Sequence, residues 1–70
     1  MKILEHTKLA NGSFIVLRQS REDEFVTGMI PAHQVPDSVP ADRTEHCWGH
    51  YFDSQAEARE DYIARIRRGY

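Results

Sequence analysis

The run His46-Cys47-Trp48-Gly49-His50 places two imidazoles and a thiol in one short segment. On a helix, His-x-x-x-His would stack both rings on one face, within reach of a single zinc ion. A cysteine beside histidines also has the makings of an activated nucleophile. Both chemistries depend on the backbone that carries the residues. Gly49 and the aromatics Trp48, Tyr51 and Phe52 favour a strand. On a strand, His46 and His50 lie roughly 13 Å apart at about 3.3 Å per residue, too far for one metal. Strict alternation puts Trp48, His50 and Phe52 on one face and Cys47, Gly49 and Tyr51 on the other, so neither histidine faces the thiol. The remaining carboxylates, Glu22-Asp23-Glu24 and Glu57, Glu60 and Asp61, read as solvated charge and helix-dipole complementation. No phosphate-binding glycine loop and no Gly-x-Ser-x-Gly turn is present. The expectation is a protein with no catalytic residue, metal or cofactor, and not an enzyme.

Length and composition point the same way. Seventy residues make a single domain, 1–70, with a thin core. Cys47 is the only cysteine, which fits a reducing compartment. No segment approaches the ~20 apolar residues of a membrane span, so a cytoplasmic location without a membrane partner is expected. A net charge of −2 is not that of a nucleic-acid binder, although Arg65, Arg67, Arg68 and Tyr70 form a basic, aromatic tip.

Asn11-Gly12 lies between two strand-like runs and predicts a hairpin with a two-residue turn. That register sets Leu9 against Phe14, Thr7 against Val16 and Glu5 against Arg18, the last a favourable cross-strand pair. Phe14-Ile15-Val16-Leu17 is apolar on both faces and reads as a central strand. Glu24–Ile30 predicts a third strand. Pro31 to Glu45 holds all three prolines and predicts one long loop. Loops of that length in compact domains are often functional. Cys47–Phe52 predicts the fourth strand.

Ser54 is placed to cap a helix, with Glu57 three residues on as in a capping box. Asp61 and Arg65 are spaced as an i,i+4 pair, and Gly69 is placed to end the helix. Ala56, Ala58, Tyr62, Ile63 and Ile66 form its apolar side. Arg59 projects into the middle of that side, where a guanidinium must snorkel, pair with a carboxylate or meet a partner.

These elements predict an α+β fold: a four-stranded antiparallel sheet in the order β-β-β-loop-β-α, with one C-terminal helix packed on one face. One helix cannot cover both faces of a strand like Phe14 to Leu17. The second face is therefore expected to meet a homodimer mate or a protein partner. The residues expected to carry binding are Trp48, His50, Tyr51 and Arg59, with the loop residues His33, Asp37, Asp42 and Arg43.

The Asn11-Gly12 hairpin, the third strand, and Gly49 to Ser54 leading into Glu57 to Tyr62 resemble small accessory proteins of phages and mobile elements. Anti-CRISPR proteins are the group most alike in size, charge and lack of catalytic motif. That resemblance implies a non-enzymatic inhibitor that occupies a surface of a CRISPR-Cas effector complex in the host cell cytoplasm. Ser54, Glu57 and Ala58 also resemble the helix start of HicB-type antitoxin domains, although that family's proline-rich strand end and glycine-containing turn have no counterpart in the expected place. The alternatives are therefore an antitoxin-like neutralising partner or a nucleic-acid-binding accessory protein.

Overall fold

A computed structural model describes residues 1–35 and 39–70. Strands β1 (Lys2–Lys8), β2 (Phe14–Arg21), β3 (Glu24–Ile30) and β4 (Cys47–Phe52) form one antiparallel sheet in the order β1-β2-β3-β4. Helix α1 (Gln55–Arg68) lies across one face, which gives the expected α+β architecture.

The first hairpin departs from the expected register. Its loop is Ala10-Asn11-Gly12: the Leu9 amide donates to the Ser13 carbonyl at 2.7 Å, and the Gly12 amide donates to the Leu9 carbonyl at 3.0 Å. Gly12 takes the left-handed conformation at φ 90°, as a three-residue hairpin loop requires of its last position. Lys8 therefore faces Phe14, Thr7 faces Ile15 and His6 faces Val16. A slip of one residue turns side chains to the other face of a strand, here from Glu5 to Lys8; a second shift between Ile3 and Glu5 sets Ile3 opposite Arg18. The Glu5–Arg18 pair is lost, and Glu5 and Thr7 face the helix instead. There the Thr7 hydroxyl shares a 2.6 Å hydrogen bond with the Tyr62 hydroxyl.

β2 is buried on both sides, by two different means. Ile15 and Leu17 pack with Phe25, Ala58 and Tyr62 beneath the helix. Phe14 and Val16 pack with Ile30 and Val35 on the opposite face. Val35 arrives there through a 3₁₀ turn at Ala32–Gln34 that follows Pro31. The second face is thus covered by the chain's own proline loop, not by a partner as expected. Val16 and Ile30 are fully buried without any second molecule.

The helix start and end follow the sequence. The Ser54 hydroxyl accepts from the Glu57 amide at 3.3 Å, and Gly69 ends the helix at φ 92°. Ala58 and Tyr62 are buried and Ile63 and Ile66 pack against them, whereas Ala56 is exposed.

β4 carries a bulge. His50 pairs with Thr27 and Cys47 with Met29, so Trp48 and Gly49 together oppose Gly28. The extra residue breaks strict alternation. Cys47 and His50 both stand opposite residues of the helix-facing side, not on opposite faces as expected.

Candidate interaction site

Among the described residues, Arg65 is the largest fully buried side chain, 1% exposed. It lies seven residues after Ala58 and three after Tyr62, so it shares their inward face. Its Nε donates to Asp61 Oδ2 and Thr27 Oγ1, both at 3.1 Å. Thr27 also donates to the Asp61 carboxylate. Nη2 of Arg65 donates to the backbone carbonyl of Trp48. Partial burial pushes the Asp61 carboxyl up. The hydrogen bonds from Thr27 and Arg65, with the charges of Arg65 and His50, outweigh it and leave Asp61 below its ordinary value. His50 Nδ1 stands 3.4 Å from the same carboxylate at the surface.

This network holds Trp48 in place. Trp48 is 62% exposed and has φ 55°, a left-handed conformation that bulky residues rarely adopt. Such a conformation costs about 1 to 2 kcal/mol for a residue with a Cβ. The Trp48 ring meets Tyr70 edge-to-face, with centroids 6.1 Å apart, and the Arg68 guanidinium lies 4.9 Å over the Tyr70 ring. Trp48, Gly49, His50, Arg65, Arg68 and Tyr70 line a cleft of ≈400 Å³.

A second buried arginine organises the other face. Arg18, 3% exposed, donates to His46 Nδ1 at 2.7 Å and to the carbonyls of Ala41 and Thr44. A guanidinium has no acceptor, so Nδ1 of His46 is unprotonated here. Burial first, then the charges of Arg18 and Arg65, hold the imidazole below its ordinary 6.5. The ring lies against Gly28 and Gly49, and a Cβ built on Gly28 would come within 2.5 Å of it. Arg18 and His46 thereby fasten the proline loop to the sheet.

The expected binding residues divide accordingly. Trp48 and His50 meet at the cleft. Tyr51, exposed, lines a separate cleft at the other end of β4 with Arg21, Asp23, Glu24, Phe52, Asp53 and Glu57. Asp42 and Arg43 lie together near Arg18, and the Asp42 carboxylate accepts from the Ile3 amide at 2.9 Å. His33 is exposed on the 3₁₀ turn, apart from the others. Asp37 lies outside the described residues. Of the three outcomes open to Arg59, the structure shows pairing with a carboxylate: its Nε donates to Glu5 at 2.9 Å, a contact made possible by the slipped β1 register.

Arg65, Arg18 and His46 are not among the residues expected to carry binding. Arg65 was legible, since its spacing from Ala58 and Tyr62 sets it on the buried face. Arg18 and His46 were not, because their contact joins residues 28 positions apart.

Among the described residues, no group of three or more His, Cys, Asp and Glu side chains could hold a metal ion. No described helix is long and apolar enough to cross a membrane. No protein-family model, curated protein or solved structure matches this chain. The fold and the cleft therefore define it as an α+β protein with an exposed aromatic site.

Proposed function

We propose that this protein is a small non-catalytic module that binds another protein through the face centred on Trp48. One observation carries the reading. An exposed tryptophan is kept in a strained backbone conformation, and a fully buried arginine is committed to its carbonyl. Burial of apolar surface does not explain the strain, because the ring is exposed. Strain of this kind clusters at active sites, ligand clamps and switch regions. Tryptophan, tyrosine and arginine are also the side chains that dominate binding hot spots.

The narrower reading is an inhibitor that occupies a surface of a CRISPR-Cas effector complex. It rests on the resemblance in size, charge and absence of catalytic motif. Affinity capture from a host lysate with identification by mass spectrometry tests the broader reading. Trp48→Ala loses the captured protein, and Arg59→Ala, whose side chain is occupied by Glu5, keeps it. Undiminished capture by Trp48→Ala overturns it.

A further inference from the structure

We infer that the Trp48 cleft receives an aromatic or large aliphatic side chain of a protein segment with a carboxylate beside that anchor and a lysine or arginine farther along. This rests on the protein-binding reading above and specifies the partner's chemistry.

The cleft supplies the first half of the pattern. At ≈400 Å³ it accepts a large side chain, and it lies within the 300 to 1,000 Å³ range of small-ligand pockets. Trp48 and Tyr70 give it aromatic walls, while its polar lining comes from His50, Arg65 and Arg68. None of the lining residues is a carboxylate. Asp61 lies close by, but it is engaged by Thr27, Arg65 and His50. Asp61 offsets Arg65, so the charge left over in the lining is the Arg68 guanidinium, whose Nη2 donates to the Tyr70 carbonyl at 3.2 Å, and its complement is an anion.

The other end of β4 supplies the second half. The cleft of ≈560 Å³ beside Tyr51 is lined by Asp23, Glu24, Asp53 and Glu57, and its one cation, Arg21, is 3.6 Å from Glu24. Its charge complement is a cation. β4 is an edge strand that joins the two clefts. From Trp48 to Asp53 the chain spans roughly 16 Å at about 3.3 Å per residue. A partner segment lying along this edge meets cationic chemistry at one end and anionic chemistry at the other. The bulge at Trp48 blunts regular strand addition there, so the anchor engages by its side chain.

The same charge layout disfavours nucleic acid. A strand of phosphates tracking along β4 would run from Arg68 directly onto Asp23, Glu24, Asp53 and Glu57.

Selection of a displayed random dodecapeptide library on the immobilised protein tests the proposal. Trp48 is the only tryptophan, so its fluorescence reports binding of each selected peptide to the cleft. Enriched peptides are expected to combine a large apolar residue, an adjacent Asp or Glu, and a Lys or Arg four to six positions away. Selection on Arg68→Glu, with its fold checked by circular dichroism, is expected to exchange the acidic neighbour for a basic one. Peptides that bind at Trp48 without this charge pattern overturn the inference and leave the protein-binding reading standing. Absence of any Trp48-dependent peptide overturns both. A wild-type dimer in sedimentation that Trp48→Ala dissolves, or a single-stranded oligonucleotide that shifts Trp48 fluorescence, gives the cleft to another occupant and overturns the inference.

Discussion

The buried guanidinium of Arg65 donates to the backbone carbonyl of Trp48, so a charge in the core sets the conformation of the chain's only tryptophan at the surface. The same guanidinium binds Asp61 and Thr27. Core and display are therefore one construction, and damage to the first is felt at the second.

Arg65→Met keeps an unbranched side chain of apolar character but leaves the Asp61 carboxylate without its main partner and the Trp48 carbonyl without a donor. Breaking a buried ion pair from one side costs about 3 to 5 kcal/mol. Asp61 retains Thr27 and some solvent, so a loss of about 2 to 4 kcal/mol is expected in urea denaturation. Trp48 fluorescence anisotropy falls as the ring gains freedom. Adding Asp61→Asn to Arg65→Met recovers part of the loss by removing the stranded charge. Wild-type stability in the single variant would contradict the role given to Arg65.

Trp48→Gly and Trp48→Ala separate strain from side-chain contacts, since both remove the indole and its edge-to-face contact with Tyr70. At φ 55° the glycine variant avoids the Cβ penalty. It is expected to be more stable than the alanine variant by about 1 kcal/mol, by thermal or urea denaturation. Equal stabilities would show that the backbone at this position carries no strain.

Stability falls in acid in two windows. His46 has its folded pKa below 6.5, so the unfolded chain binds the extra proton first. Its contribution is complete above about 6.5 and is lost as pH falls through the lower folded value. Its charged surroundings are Arg18 from β2 and Arg65 from α1, with Asp42 and Glu45 in the adjoining loop. Asp61 is also lowered, from 3.8, so its contribution is present above that value and lost below it. Urea midpoints are expected to drop between pH 7 and pH 5. His46→Gln, whose amide oxygen still accepts from Arg18, flattens that segment and leaves the fall below pH 4. An unaltered slope in His46→Gln would remove His46 from the account.

Gly28→Ala places a methyl group 2.5 Å from the His46 ring. Overpacking of this kind costs about 1 to 3 kcal/mol. Gly49→Ala meets the same ring at 2.9 Å and is expected to cost less. The interference runs through His46, so Gly28→Ala combined with His46→Ala costs less than the sum of the two single changes in a double-mutant cycle. Strict additivity would mean that Gly28 is required for another reason.

Much of the fold was legible because its signals are local. Ser54, Glu57 and Gly69 mark the helix ends through groups within a turn of one another, and the Asp61–Arg65 pair follows from helical spacing. The strands Glu24–Ile30 and Cys47–Phe52 follow from runs of strand-forming residues. The existence of the Asn11-Gly12 hairpin was equally readable, but its register was not. Two- and three-residue loops share the same glycine signal, and they differ by the one-residue slip that moved Glu5 from Arg18 to Arg59.

The sequence by itself determined the elements, their order and the helix caps, because each depends on neighbours a few residues away. Tertiary structure alone decided what the two faces of β2 would meet. Val35 and the Arg18–His46 contact bring the proline loop over one face, and nothing local to Phe14–Leu17 announces that cover. It also decided the bulge at Trp48. The pairing of β4 with β3 on either side of Gly28, and the reach of Arg65 from the helix, settle that conformation across 17 residues of chain. Register, bulges and buried ion partners are long-range choices, made by which groups end up without water and need a partner.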